Sequence, residues 1–309
     1  MKISVAMCTY NGEKYINEQI NSILSQTIVP DEIIICDDVS TDNTIGIIND
    51  ISNQIIKLHQ NPKNLGFTKN FEQAIKMCSG DIIFLSDQDD VWLPNKVEVI
   101  LNAFKDNPEA YMIFSDTYLV DKNLNVFPES LWDRLEVDYN KFNIYDLIQG
   151  PVVTGSSLAF KPIALDYTGS FPLIFGHDEW MAFVLTSLGR ATPLNQKLIY
   201  YRQHEDQKYG VREKTKPESL FVRLRNRLLG KNIRHYSMQL TRLKKYQKFL
   251  KNLPNQTPYL LLTDYVQHIE TRFNLPKNKI SRFTIICNEI PKYLKYDRPF
   301  TAFKDWINL

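Results

Sequence analysis

The sequence predicts an α/β protein, with a mixed, mostly parallel and doubly wound sheet flanked by helices and followed by a helical C-terminal region. Three observations carry that expectation. Short apolar runs alternate with amphipathic helical patterns from the N-terminus onward, the mark of repeated βαβ units. Two of these runs end in acidic clusters, Asp37-Asp38 and Asp87-Gln88-Asp89-Asp90, at the strand ends where open α/β sheets gather ligands. Beyond residue 205 the strand pattern gives way to basic, helix-periodic segments.

Taken in order, Ile3 to Cys8 alternates and branches as a first strand and runs into the turn cluster Thr9-Tyr10-Asn11-Gly12. A helix follows through Ile16, Ile20, Ile23 and Leu24. Ile33-Ile34-Ile35-Cys36 reads as a second, buried strand, and the polar residues after Asp38 can cap a helix that starts beyond Ser40. Ile55 to His59 is a third strand, Asn61 to Gly66 a loop and Phe67 to Cys78 a helix. Ile82-Ile83-Phe84-Leu85 is the next strand, and Pro94 opens the helix after its acidic turn. Met112 to Val120 forms a further strand with a hairpin turn at Asp121-Lys122-Asn123. Gly150 to Phe160 begins as turn and ends as strand; its glycines either let backbone approach a sugar or mark a bulge. Gly176-His177-Asp178-Glu179-Trp180 opens a helix carried by Met181, Val184, Leu185 and Leu188 and ended by Gly189. Lys197 to Ile199 is a short last strand.

Past residue 205, Leu220, Phe221, Leu224 and Leu228 mark one helix. Ile233, Tyr236, Leu240, Leu243 and Leu250 mark a second, ended by Pro254, and Thr257-Pro258 starts a third through Leu262, Val266, Ile269 and Phe273. The organisation expected is a catalytic domain over 1–205, divided near residue 110, and a basic helical region over 206–309.

Composition bounds the function. With 309 residues, 43% hydrophobic and 23% charged, the chain is an ordinary globular protein rather than a disordered one. Cys8, Cys36, Cys78 and Cys287 show no paired spacing, so the expectation is reduced, buried cysteine in a cytoplasmic protein. No apolar signal follows Lys2, and no run nears the roughly 18 apolar residues of a membrane span. The net charge of +2 hides an asymmetry: residues 205–309 carry 22 Lys+Arg against 9 Asp+Glu, and residues 1–204 carry 15 against 26. A basic amphipathic helical face either packs on the rest of the protein or lies on a membrane.

The acidic turn is the chemical centre. Three carboxylates in four positions raise one another's pKa unless a cation neutralises them, and clustered carboxylate oxygens suit Mg²⁺ or Mn²⁺. A helix cap explains Asp90 alone. A second acidic pair on the same sheet edge suggests one ligand spanning both, and a sugar nucleotide has a base and ribose for one end and a diphosphate for the other.

The ordered runs Val5 to Gly12, Ser25-Gln26-Thr27, Glu32 to Thr44, Asn64-Leu65-Gly66-Phe67 and Asp87 to Asp90 resemble the family 2 glycosyltransferases of the GT-A fold, over about the first 205 residues. The resemblance implies a nucleotide-sugar site of Thr9, Tyr10, Asn11, Asp38, Asn64, Gly66, Lys69, Asp87, Gln88 and Asp89. It implies that Asp89, Asp90 and His204 hold the metal and that Asp178 is the catalytic base. His177 stands where Glu is usual, which keeps Glu179 a candidate, and Val39 stands where Gly is commoner. Thr154, Gly155, Glu179, Trp180 and Arg202 are expected on the acceptor side or in support, with Arg202 also suited to phosphate oxygens. The runs Ser86 to Trp92, Thr154 to Ser157, His177 to Trp180 and Tyr201 to His204 are similar to bacterial rhamnosyltransferases of polysaccharide assembly. This implies an inverting transfer from dTDP-rhamnose, or from a UDP-hexose, to a glycan or lipid-linked acceptor, with peripheral membrane contact through the basic helices. No nucleic-acid partner is expected. A nucleotidyltransferase, or a non-catalytic protein binding carbohydrate or nucleic acid, remains as an alternative.

Overall fold

The computed structural model describes residues 1–150, 152–205, 207, 233–276, 278–296, 302 and 305–306. The chain divides into two compact units, Met1–Val211 and Arg212–Leu309. In the first, β1 (Ile3–Thr9), β2 (Glu32–Asp37), β3 (Ile56–Gln60) and β4 (Ile82–Ser86) run parallel in the order β3-β2-β1-β4. They are joined by α1 (Ile16–Leu24), α2 (Thr44–Asp50) and α3 (Phe67–Met77). This is the βαβ series that the sequence predicts, and it brings the C-terminal ends of β1, β2 and β4 to one edge. One expectation is corrected: all seven residues of β1 are buried rather than alternating, because the strand lies between β2 and β4 with α3 packed on it.

The rest of the sheet is mixed. It contains β5 (Val91–Trp92), β6 (Met112–Val120), β8 (Leu158–Phe160) and β9 (Ala191–Arg202), with β7 (Val126–Ser130) paired to β6. Strand β8 runs antiparallel to β4 and β6, and β6 runs parallel to β9. The hairpin turn lies where predicted, with Asp121 Oδ1 accepting from the amides of Asn123 and Asn125. Strand β9 is 12 residues long, not three, because its polar first half is held in the sheet by pairing with β6. Helices α4 (Lys96–Asp106), α5 (Leu131–Leu135), α6 (Ile144–Gln149), α7 (Ala164–Thr168) and α8 (His177–Ser187) complete the unit. The sequence reading lacks α5 to α7, which are too short to display a helical period. For α5 and α6 the sequence signal is in the capping boxes Ser130/Asp133 and Asn143/Asp146; α7 has no side-chain cap.

The second unit contains α9 (Ile233–Leu250), α10 (Thr257–Phe273) and α11 (Lys279–Tyr296). The first two follow the predicted periodicity. The third is missing from the sequence reading, since Pro291 inside it reads as a break. The helix expected through Leu220 to Leu228 lies outside the described residues. No helix among the described residues is long and apolar enough to cross a membrane. All four cysteines are free; Cys8 and Cys36 are buried, whereas Cys78 is half-buried and Cys287 exposed, contrary to expectation.

Candidate active site

The ends of β1, β2 and β4 build one continuous polar surface. Thr9 Oγ1 donates to Asp37 Oδ2 at 2.8 Å, and the Ser40 amide donates to Asp37 Oδ1 at 2.8 Å. Asn11, at φ +50°, accepts from the Thr41 amide at 2.8 Å, tying the two loops together. Asp38 is buried, and its carboxylate accepts from the amides of Leu65 (2.7 Å) and Gly66 (2.9 Å) and from Asn61 Nδ2 (2.9 Å). It therefore shapes the 64–66 loop, and Asn64 Nδ2 returns a bond to the Asp38 carbonyl at 3.1 Å. Gly66 sits at φ +78°, a conformation that favours glycine. Lys69, expected near the nucleotide, pairs with Glu72 at 2.6 Å. Val39 adopts φ +71°, so the valine that stands where glycine is commoner occupies a glycine conformation.

The acidic turn is docked to this surface by Gln88. Its Oε1 accepts from the Tyr10 amide (2.8 Å) and its Nε2 donates to the Tyr10 carbonyl (3.1 Å). Asp90 is fully buried, with Oδ1 accepting from the Arg202 amide at 3.0 Å. Its Oδ2 and the Ser156 hydroxyl are both buried without a well-formed hydrogen bond, although the hydroxyl is near enough to favour the charged carboxylate. Burial, then the Asp89 charge, pushes the Asp90 carboxyl up to about 7. Burial and the charges of Asp90, Asp89 and Asp178 push Asp87 well above the usual carboxylate range. Asp89 Oδ2 lies 2.9 Å from His204 Nε2. The other nitrogen of that ring, Nδ1, is buried without a hydrogen bond, and Tyr15 packs against the ring at 4.9 Å.

Arg202 braces the turn rather than facing it. The buried guanidinium donates to the carbonyls of Asp89 (2.7 Å) and Lys122 (2.7 Å) and to Glu18 (2.5 Å), and lies 4.5 Å above the Tyr15 ring. With three sides committed, it is not presented to a phosphate as the sequence suggested.

Asp178 opens α8. Its Oδ2 accepts from the Gly155 amide at 2.9 Å and its Oδ1 from the Glu179 amide at 2.8 Å. Burial raises its pKa, opposed by His177 and the Gly155 amide. The 155–157 turn connects the two acidic sets: the Gly155 amide donates to Asp178, and Lys96, in the helix after the acidic turn, donates to the next carbonyl, that of Ser156. His177 is fully buried, stacked on Phe71 at 4.0 Å with planes 20° apart, and neither ring nitrogen has a hydrogen bond. Burial lowers its pKa, against the pull of Asp178, which favours the neutral imidazole. A Cβ on Gly155 would lie 2.9 Å from His177 Nε2, and one on Gly176 would lie 2.4 Å from Asp178 Oδ1. Both glycines allow close approach, and the contact that the Gly155 backbone makes is to Asp178. Trp180 donates to the Thr168 carbonyl at 2.9 Å and stacks on Phe175 at 5.4 Å, so it packs in the core; Glu179 and Thr154 are buried as well.

The sequence reading lacks Lys96. It is fully buried in the first turn of α4, donates to the Ser156 carbonyl at 2.5 Å and lies 3.5 Å from the Trp92 ring centroid. The available signal was a cation at a helix N-terminus, where the dipole opposes it.

Among the described residues no three His, Cys, Asp or Glu side chains form a ready-made metal cage. The set still fits a divalent ion of the Mg²⁺ type, which commonly takes one or two carboxylates and completes its shell with substrate phosphate and water. The orphan Oδ2 of Asp90 and the raised carboxyls around it are what such a charge would relieve.

A Rossmann-like sheet carrying paired acidic turns on its carboxyl edge and extended by a mixed second half is the GT-A architecture. The Glycosyl transferase family 2 profile matches residues 4–163, and the chain belongs to that family of glycosyltransferases. It is 36% identical over 183 residues to the Escherichia coli UDP-Glc:alpha-D-GlcNAc-diphosphoundecaprenol beta-1,3-glucosyltransferase WfgD, spanning 58% of this chain and 67% of that one. It is 28% identical over 226 residues to the Shigella flexneri dTDP-rhamnosyl transferase RfbG, spanning 66% and 74%. A further relative, the uncharacterized Nostoc glycosyltransferase alr2836, is matched at 29% identity over 66% of this chain and 65% of its own length. The fold is similar to Staphylococcus aureus TarS solved with UDP-GlcNAc, at TM-score 0.63 and 18% identity over 99% of this chain and 88% of that one. It is also similar to the Pyrobaculum calidifontis mannosyltransferase PcManGT solved with GDP-Man and Mn²⁺, at TM-score 0.56 and 17% identity over 99% and 84%.

Proposed function

We propose that the chain is an inverting, metal-dependent glycosyltransferase that moves a sugar from a pyrimidine nucleotide donor to a hydroxyl of a lipid-linked polysaccharide precursor. The observation that carries this reading is the pairing of an acidic turn at the end of β4, with Asp89 2.9 Å from His204, and a carboxylate at the start of α8, Asp178, held by the Gly155 and Glu179 amides. Asp89, Asp90 and His204 are the residues that would hold Mg²⁺ or Mn²⁺, with Asp87 beside them. When bound, the ion supplies positive charge to the diphosphate leaving group. Asp178 takes the proton of the acceptor hydroxyl as its oxygen bonds to the anomeric carbon. The bond from that carbon to the diphosphate oxygen breaks on the opposite face, so configuration inverts. The Gly155 amide keeps Asp178 oriented.

For the donor, the motif resemblance favours dTDP-rhamnose, and the relatives named above include both a UDP-glucose and a dTDP-rhamnose enzyme. Both donors carry a pyrimidine. A diphosphoundecaprenol acceptor in WfgD supports a lipid-linked acceptor here. Peripheral membrane contact is supported by α11, where Ile280, Phe283, Ile290 and Leu294 recur at helical spacing and are all exposed.

The test is thermal unfolding with UDP-glucose, dTDP-rhamnose and GDP-mannose, each with and without Mn²⁺. A donor at about 100 times its Kd adds about 2.7 kcal/mol, or roughly 5–10 °C for a unit of this size. One pyrimidine donor is expected to stabilise only with metal, and Asp178→Asn to keep that shift while losing about 10²–10⁴-fold in transfer. Stabilisation by none of the three donors, or an Asp178→Asn variant with wild-type transfer, refutes the reading.

A further inference from the structure

Lys96 is costly where it stands. It is buried, its charge opposes the helix dipole, and burial pushes its pKa well below the usual lysine range against the pull of Asp90 and Asp87. A residue there merely to fill space would be apolar. Its ammonium instead makes one short hydrogen bond, 2.5 Å to the Ser156 carbonyl, under the face of Trp92. Ser156 follows Gly155, whose amide holds Asp178 at 2.9 Å. Asp90 and Trp92 belong to the donor-side turn, so Lys96 stands between the two halves of the site.

We infer that Lys96 is a positioning residue: its ammonium offsets the buried carboxylates of the acidic turn, and its bond to Ser156 fixes the loop that aims Asp178 at the acceptor. This rests on the reading of Asp178 as the base. The lysine stem reaches from α4 to the 155–157 turn, and its charge gives a carbonyl bond about twice as strong as a neutral donor would. Removing it frees the Ser156 carbonyl and lets the Gly155 amide shift, which alters the direction of the Asp178 carboxylate without touching the nucleotide loops at Asp38 and Asn64.

The experiment compares Lys96→Met and Lys96→Arg with the unaltered protein. Turnover is read as release of UDP from UDP-glucose, and of dTDP from dTDP-rhamnose, with Mn²⁺ and with water in the acceptor's place, its oxygen bonding to the anomeric carbon as Asp178 takes its proton. Binding of UDP and dTDP with Mn²⁺ is read by calorimetry. Lys96→Met is expected to lower kcat per folded molecule at least ~10-fold, since small misplacements of reacting groups cost up to about 10²-fold. The nucleotide Kd should stay within ~3-fold, and Lys96→Arg should recover most of kcat. An unchanged kcat, a parallel loss of kcat and nucleotide binding, or no recovery with arginine overturns the inference. Should Lys96→Met not fold, the double variant Lys96→Met/Asp90→Asn, which removes the uncompensated carboxylate, is expected to restore folding, and Lys96→Gln, which keeps a neutral donor for the Ser156 carbonyl, is read for the same split. Failure of the double variant to fold overturns the charge-offset role. If the unaltered protein releases no nucleotide and binds none, the fault lies in the proposed function rather than in Lys96.

Discussion

Asp90→Asn is expected to make the folded protein more stable at about pH 8 in the absence of metal. The carboxylate is wholly buried, with one oxygen on the Arg202 amide at 3.0 Å and the other without a well-formed partner. Burial, then Asp89, pushes its pKa up to about 7 from 3.8. At about 1.4 kcal/mol for each unit, holding this charge costs the folded state up to about 4 kcal/mol. Asparagine keeps an acceptor for Arg202 and carries no charge. It also deprives Lys96 of a counter-charge, so the realised gain is set at about 2 kcal/mol. The sign follows from proton linkage: the folded acid binds its proton more tightly than the unfolded one. Wild type therefore loses stability relative to the variant as pH rises from about 4 to about 7, and the gap stays level above that. Urea unfolding followed by tryptophan fluorescence, in chelator at about pH 5, 7 and 8, measures it. A variant less stable than wild type at pH 8, or a gap that does not narrow by pH 5, refutes the reasoning. The same variant should lose Mn²⁺-dependent nucleotide binding, separating what the carboxylate does for stability from what it does for function.

Val39→Gly should stabilise the protein, because valine at φ +71° is strained by roughly 1–3 kcal/mol while glycine returns about 0.5–1 kcal/mol through the unfolded chain. The net is about 1 kcal/mol, or a rise in Tm of about 2–4 °C, and an unchanged or lower Tm rules out strain at this turn. Gly155→Ala brings a methyl group to 2.9 Å from His177 Nε2 and should displace the loop that holds Asp178. Nucleotide binding is expected to survive and turnover to fall by ~10–100-fold; wild-type turnover would mean that the loop does not aim the base. His204→Ala leaves Asp89 without its 2.9 Å partner and should raise the Mn²⁺ concentration for half-maximal nucleotide binding about 10–100-fold. A Mn²⁺ titration identical to wild type removes His204 from the metal side of the site.

Much of the catalytic unit was legible because its signals are local. Buried parallel strands read as unbroken apolar runs, and the acidic turns lie directly after β2 and β4, so sequence adjacency already placed Asp38 and Asp87–Asp90 on one edge. The glycine preference at residue 39 was visible too, and the positive φ gives its reason. Strand β9 shows a strand pattern over only three residues because its ladder partner, not its own sequence, makes the first half a strand. What each polar side chain does was decided elsewhere. Arg202 has the chemistry of a phosphate ligand, yet three partners from distant parts of the chain enclose it. Lys69 pairs along its own helix, Trp180 turns into the core, and Lys96 gains a role only because β8 carries the 155–157 turn beside α4. By itself, the sequence determined the α/β order, the edge that carries chemistry and the family. Tertiary structure alone decided which ionisable groups face that edge, because burial and partners 60 or more residues away, as between Lys96 and Ser156, set the cost of each charge.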